Sequence, residues 1–322
     1  MDQKANSFFE LSPEKVMRAV EDRGFLTTGK FYQLNSYENR VFDIVLEEQP
    51  SFLSNKHVIA KFYRPGKWSL KALQEEHDFL HELKSEQIPV VAPLRIDGKT
   101  VFETDGMYMT LFEKTLGRMP QEFVNNELEQ VGRLIAQLHN IGAQKKFKER
   151  PTLLSQSHLG WRALNILSDW VVPEIWVRYQ VAAQRILDYL EEFLEPHSFT
   201  RIHGDCHKGN LLSNGMNFFF VDFDDALNGP AVQDFWMLLS GSPEDSDEEL
   251  SQLLKGYEEL RDFDDAELDL IPALRGLRIL SYAAWIAARW QDPSFPRLFP
   301  NFNTYVYWAE EVEALEKIAW SL

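Results

Sequence analysis

The feature that most constrains the fold of this chain is a change of hydrophobic period near Glu113. Before it, "GKFYQLNSYENRVFDIVLEE", "KHVIAKFYRP", "APLRIDGKTVFETD" and "GMYMTLFEK" are rich in aromatic and β-branched residues and are separated by Asn, Pro, Gly and Asp. Such runs between turn-forming residues predict the strands of an antiparallel sheet. One helix breaks in: Leu73, Phe79, Leu80 and Leu83 of "SLKALQEEHDFLHELKSE" share an apolar face. A further helix precedes the strands in "SPEKVMRAVEDRG", with Ser12 as cap, Pro13 at the first position and Gly24 at the stop.

After Glu113 the patterns turn helical, in "NNELEQVGRLIAQLHNIG", "EIWVRYQVAAQRILDYLEEFLE", "VQDFWMLLSG", "DEELSQLLKGYEEL" and "AELDLIPALRGLRILSYAAWIAARW". Only Thr200 to Asp225 interrupts them, where "GNLLSN" and "MNFFFVDFDD" flank an Asn-Gly turn and predict a hairpin. "SPEDSDEEL" reads as an acidic surface turn leading into a helix. Strands with one inserted helix, then helices, predict an α+β class, and 322 residues suit two lobes, 1–112 and 113–322.

Composition narrows the function. With 44% hydrophobic and 26% charged residues the chain can bury a core, which argues against disorder. A formal charge of −17, without Lys/Arg runs interleaved with aromatics, argues against nucleic acid as partner. No run approaches the roughly 20 apolar residues of a membrane span, and "MDQKANSFFELSPEK" lacks the basic-then-apolar order of a signal peptide. The single cysteine, Cys206, excludes an intramolecular disulfide and fits a reducing compartment, so a cytoplasmic protein is expected.

The chemistry concentrates in "RIHGDCHKGNLL" and in "FVDFDD" beyond the hairpin. Phosphoryl transfer needs a positioned hydroxyl, a divalent cation on the phosphates and oxygen ligands for that cation. Asp205 could accept or orient the proton of an acceptor hydroxyl, while the Asn210 amide oxygen and the Asp222 carboxylate could hold metal, with Asp224 in support. The plainer alternative is a polar hairpin whose Asp and Asn residues cap turns. A zinc site at His203, Cys206 and His207 is disfavoured, because the spacing departs from paired Cys/His signatures and the nearby oxygen donors suit a harder cation.

"HGDCHKGN" and "VDFDD" resemble the catalytic and metal-binding loops of the aminoglycoside phosphotransferase and choline kinase class, relatives of the protein kinases. Together with "LNSYENRV", "KFYRPGKW", "EEH", "VDFDDALNGPAVQDFWMLL" and "DPSFPRLFPNF", they resemble the bacterial stress response kinase A family of serine/threonine protein kinases, from Leu34 to Trp308. The resemblance implies a bilobal protein-kinase-like fold, with an ATP-binding N-terminal lobe and a catalytic, substrate-binding C-terminal lobe. It further implies ATP as phosphoryl donor, Mg²⁺ as cofactor, and a monomer acting on Ser/Thr hydroxyls of protein substrates in oxidative or envelope stress.

Residue by residue, Asp205 would be the catalytic base, Asn210 and Asp222 the Mg²⁺ ligands, and Lys61 the lysine on the α- and β-phosphates. Glu76 would pair with Lys61, with Glu75 as competitor. His203 would brace the loop and Asp234 would tie it down, although an acid at a helix start can also simply face the helix dipole. The phosphate-covering loop departs from the protein-kinase pattern, since "QLNSYENRV" has no glycine. Ser36 is the candidate ATP contact there, against the alternative that Asn35, Ser36 and Asn39 only shape a turn.

Two acceptor classes stay open on these residues, protein Ser/Thr and a small alcohol such as homoserine, choline or an aminoglycoside. A nucleotide-binding pseudokinase is disfavoured because the base, both metal ligands and the lysine are present. Oxidation of Cys206 beside Asp205 could modulate activity, but neighbouring carboxylates raise a thiol's pKa and favour an inert, packed cysteine. Few residues separate Asp222 from "VQDFWMLL", so no long activation segment is expected and the enzyme should be active without loop phosphorylation. Most aromatics of "SYAAWIAARWQDPSFPRLFPNFNTYVYWAEE" are expected to pack, and some to line the acceptor cleft.

Overall fold

A computed structural model describes residues 8, 11–154, 159–239 and 243–322. The chain forms two compact units, Met1–Phe123 with Lys208–Asp224, and Val124–His207 with Asp225–Leu322. The division by sequence pattern at 112/113 thus differs in two places: residues 113–123 and the hairpin belong with the first unit.

In the first unit, helix α1 (Pro13–Glu21) starts where Ser12 Oγ accepts the Lys15 N–H at 3.4 Å. The sheet comprises β1 (Thr27–Leu34), β2 (Arg40–Leu46), β3 (His57–Phe62), β4 (Phe102–Thr104) and β5 (Met107–Glu113), in the antiparallel order β1-β2-β3-β5-β4. Helix α2 (Leu70–Ser85), capped by Ser69, lies between β3 and β4 in the chain and buries the expected Leu73, Phe79, Leu80 and Leu83. One face of the sheet packs with α1 around Val16, Val20, Phe42, Ile44, Val58 and Phe62. The alternation that marked the strands is what buries these residues while their neighbours stay outside.

Short strands follow along the chain: β6 (Thr200–Ile202), β7 (Leu211–Ser213), β8 (Phe218–Phe220) and β9 (Leu227–Gly229). β7 and β8 form the predicted hairpin, and its backbone joins the first unit where Arg118 and Ser213 exchange N–H to C=O bonds of 2.9 and 2.8 Å. β6 pairs with β9 in the second unit.

The second unit is otherwise helical: α3 (Glu127–Gly142), α4 (Trp161–Leu167), α5 (Pro173–Phe193), α6 (Gln233–Trp236), α7 (Pro243–Glu258), α8 (Ile271–Ala288), α9 (Phe295–Leu298) and α10 (Tyr305–Ala319). α3 packs on α7, α8 on α4 and α5, and α10 on α5. Among the described residues of "VQDFWMLLSG" Gln233–Trp236 form the single turn of α6, while Ser240 and Gly241, with Ser242 that opens the acidic turn, lie outside the described residues. Among the described residues, the stretch Asp265–Ala288 is long and apolar enough to cross a membrane by length and composition alone. It is a core element here, with Leu274, Leu277 and Leu280 enclosed among its neighbours. The late aromatics do mostly pack, with Phe295, Phe302 and Trp308 fully buried.

Candidate active site

The first unit assembles a charged quartet at the end of the hairpin. Lys61, on β3, points its Nζ to Asp222 Oδ1 at 2.8 Å and to Asp224 Oδ1 at 3.5 Å. Lys67 reaches the other oxygen, Asp224 Oδ2, at 2.6 Å. Burial alone would depress the Lys61 ammonium, but Asp222 and then Asp224 raise its pKa well above the ordinary lysine value. Lys61 therefore stays charged.

This arrangement corrects the expected ion pair between Lys61 and Glu76. Glu76 is buried on α2, yet it acts on Lys61 only as the weakest of several charges, and Lys61 turns to the two aspartates. Two carboxylates within ion-pair reach outweigh one at longer range, since attraction falls with distance.

Asn210 ends a short 3-10 turn before β7, and its carbonyl accepts the Val221 N–H at 3.0 Å, which brings it beside the residue preceding Asp222. Asp222 sits just past β8 with φ +59°, a left-handed conformation that Asp tolerates better than most side chains. An amide oxygen and a half-exposed carboxylate at one hairpin end are hard donors, so Asn210 and Asp222 fit a hard divalent cation.

The loop "SYENR" is held from below by the segment after β3. Arg64 donates from Nε to the Glu38 carbonyl at 3.1 Å and from Nη2 to the Tyr37 carbonyl at 3.3 Å, and its backbone N–H meets Asn39 Oδ1 at 3.2 Å. Ser36 Oγ accepts the Asn39 N–H at 3.3 Å, so the turn-shaping role of Ser36 is present.

In the second unit, Asp234 organises the loop after β6. Buried on α6, it accepts the His203 N–H on Oδ2 and the Gly204 N–H on Oδ1, both at 2.8 Å. His139 of α3 meets the same carboxylate at 3.1 Å and the Tyr257 hydroxyl at 3.0 Å. Gln233 completes the hold by donating to the Gly204 carbonyl at 3.1 Å. Two close approaches demand glycine: a Cβ on Gly204, at φ +83°, would lie 2.3 Å from the Asp225 carbonyl oxygen, and one on Gly142 would lie 2.1 Å from that of Arg201.

His203 is fully buried, and its Nδ1 faces the Asp205 N–H at 3.4 Å. The Asp205 carboxylate lies between His207 Nε2, at 3.5 Å from Oδ2, and Arg278 Nη1 of α8, at 2.7 Å from Oδ1. Burial alone would raise this carboxyl, but the His207 hydrogen bond and the Arg278 guanidinium, with less from His203, hold it well below the usual carboxylate range. Cys206 is enclosed, and burial, then Asp234 and Asp205, push its thiol up. That environment suits a packed cysteine and gives a redox role no thiolate to start from.

Arg278 also borders a cleft of about 480 Å³ within the second unit, with Tyr282, Tyr307, Glu310 and Glu311 in its walls. Tyr307 and Tyr179 donate to Glu311 at 2.6 and 3.0 Å, and burial pushes its carboxyl up to about 7. Neither Arg278 nor His139 was legible in the sequence. His139 carried only the weak signal of a histidine on an apolar helix face, and Arg278 lies far along the chain from Asp205 with no motif around it.

A five-stranded antiparallel sheet bearing a buried lysine, an Asp/Asn hairpin and a helical unit that suspends an ionised aspartate together define a kinase-like phosphotransferase. The chain belongs to the phosphotransferase enzyme family, whose model matches residues 32–271. It is similar to the serine/threonine protein kinase RdoA of Salmonella typhimurium strain LT2, 35% identical over 314 residues, covering 97% of this chain and 93% of that protein. It is also similar to stress response kinase A of Escherichia coli strain K12, 34% identical over 313 residues with the same coverage. Among solved structures it resembles an amicoumacin kinase in complex with AMP-PNP and Ca²⁺, with a TM-score of 0.72 and 19% identity over 92% of this chain and 93% of that one. That likeness supports the fold.

Proposed function

We propose that the protein transfers the γ-phosphoryl group of ATP to Ser or Thr hydroxyls of other proteins, as a cytoplasmic monomer in a bacterial stress response. The observation that carries the chemistry is Asp205, held ionised in a loop whose His203 and Gly204 N–H groups are tied to Asp234, and paired with Arg278, which borders the cleft. The relatives named serine/threonine protein kinase RdoA and stress response kinase A, alike over 97% of the chain, support the protein acceptor and the stress role.

Lys61 would neutralise the α- and β-phosphates, and Ser36 would donate to a phosphate oxygen. Asn210 and Asp222 would hold Mg²⁺, which neutralises charge developing on the phosphates when bound. Asp205 orients the acceptor hydroxyl and takes its proton. Its low basicity suits a loose transition state, in which the hydroxyl proton leaves late and positioning matters more than base strength.

A second reading, a small-alcohol kinase, is favoured by the cleft, whose roughly 480 Å³ lies in the range of small-molecule pockets. Labelled γ-phosphate offered with a generic basic protein and, separately, with a panel of small alcohols separates the two. Protein labelling is the expected result, and labelling of alcohols alone would establish the second reading.

A further inference from the structure

The proposed nucleotide site has a cation for which the known chemistry has no use. Lys67 lies on the same segment as Arg64, and its ammonium shares the carboxylate of Asp224 with Lys61, each lysine on its own oxygen. Both lysine side chains are largely enclosed, as is Asp224, whereas Asp222 is half exposed, so the group opens on the Asp222 side. Two ammonium groups set beside one buried carboxylate repel each other and are stable together only among anions. In this structure Asp222 and Asp224 supply that charge and balance the two lysines.

The covering loop gives a reason for a second lysine. It has no glycine; its Tyr37 and Glu38 carbonyls are tied to Arg64, and the Asn39 N–H is taken by Ser36. Fewer backbone N–H groups can then turn to phosphate than in a glycine-rich loop. Were Asp222 to hold a divalent cation, Lys61 would lose its nearest partner, and a nucleoside triphosphate carrying that cation would still have net negative charge.

We propose that Lys67 is a second phosphate-binding lysine, which contacts the polyphosphate of the donor nucleotide and does part of the work of the missing glycine-rich loop. The proposal rests on the ATP-dependent reading above. Asp224 holds the Lys67 ammonium at 2.6 Å, and the Trp68 ring, 5.3 Å from Nζ, borders it.

The test is calorimetric titration of the full chain and its Lys67→Met and Lys67→Arg variants with AMP, ADP and ATP, with and without Mg²⁺. A charge-assisted phosphate contact predicts that Lys67→Met weakens ADP and ATP about tenfold or more, leaves AMP within about twofold, and is largely restored by Lys67→Arg. Equal weakening of AMP, ADP and ATP would show that Lys67 only supports the turn at Asp224, and unchanged ADP and ATP binding would also overturn the proposal. Wild-type protein that binds no adenine nucleotide would instead overturn the ATP reading itself, and the role of Lys67 with it.

Discussion

At the scale of the residue, the site works through charges held in fixed states. Asp205 is kept ionised by His207 and Arg278 against the cost of burial, and Lys61 is kept charged by Asp222 and Asp224. Removing Arg278 takes away one of the groups that lower the Asp205 pKa, so that pKa rises. A base must be ionised to act, and the acid limb of the kcat/KM profile follows it. Arg278→Ala should therefore move that limb to higher pH, while Arg278→Lys retains most of the wild-type position; a pH-rate series on all three checks it, and an unmoved limb would dissociate Arg278 from the base. The sequence marked Asp205, Asn210 and Asp222 as candidates because they lie in two short stretches on either side of one hairpin. It could not show that Lys61 would prefer Asp222 to Glu76, since that choice depends on distances set by the turn after β8.

At the scale of the element, long patterned segments were legible, and of the short ones only the β7–β8 hairpin was, through its Asn-Gly turn. The start of α1 followed from Ser12 and Pro13, and the apolar face of α2 from Leu73, Phe79, Leu80 and Leu83. The pairing of β6 with β9 escaped, because three residues carry no period, and α4 escaped for a similar reason. Yet β6, α3 and α6 are what aim the loop: α3 meets the β6 backbone at Gly142, and α6 holds Gly204 through Asp234. Gly204→Ala should cost about 2 kcal/mol or more, from a positive φ combined with a backbone clash. Denaturant unfolding measures that loss, and a stability within error of wild type would mean that the loop relaxes freely around residue 204.

At the scale of the whole molecule, the residues proposed for the chemistry are distributed over both compact units. The first carries Lys61, Asn210, Asp222 and Asp224, and the second carries Asp205 with the cleft beside Arg278. The bilobal α+β class was legible from the change of period at Glu113, but the assignment of the hairpin to the first unit was not, since its strands follow a helical segment in the chain. The central claim is that this two-unit chain is a phosphotransferase whose acceptor is activated by Asp205. Its most direct test is transfer of labelled γ-phosphate from ATP with Mg²⁺ by wild type and Asp205→Ala, with ATP affinity measured on both. The account predicts at least a ~100-fold loss of transfer in the variant, at the low end of what a positioned base contributes, with ATP affinity within about threefold of wild type. Transfer by Asp205→Ala at the wild-type rate would contradict it.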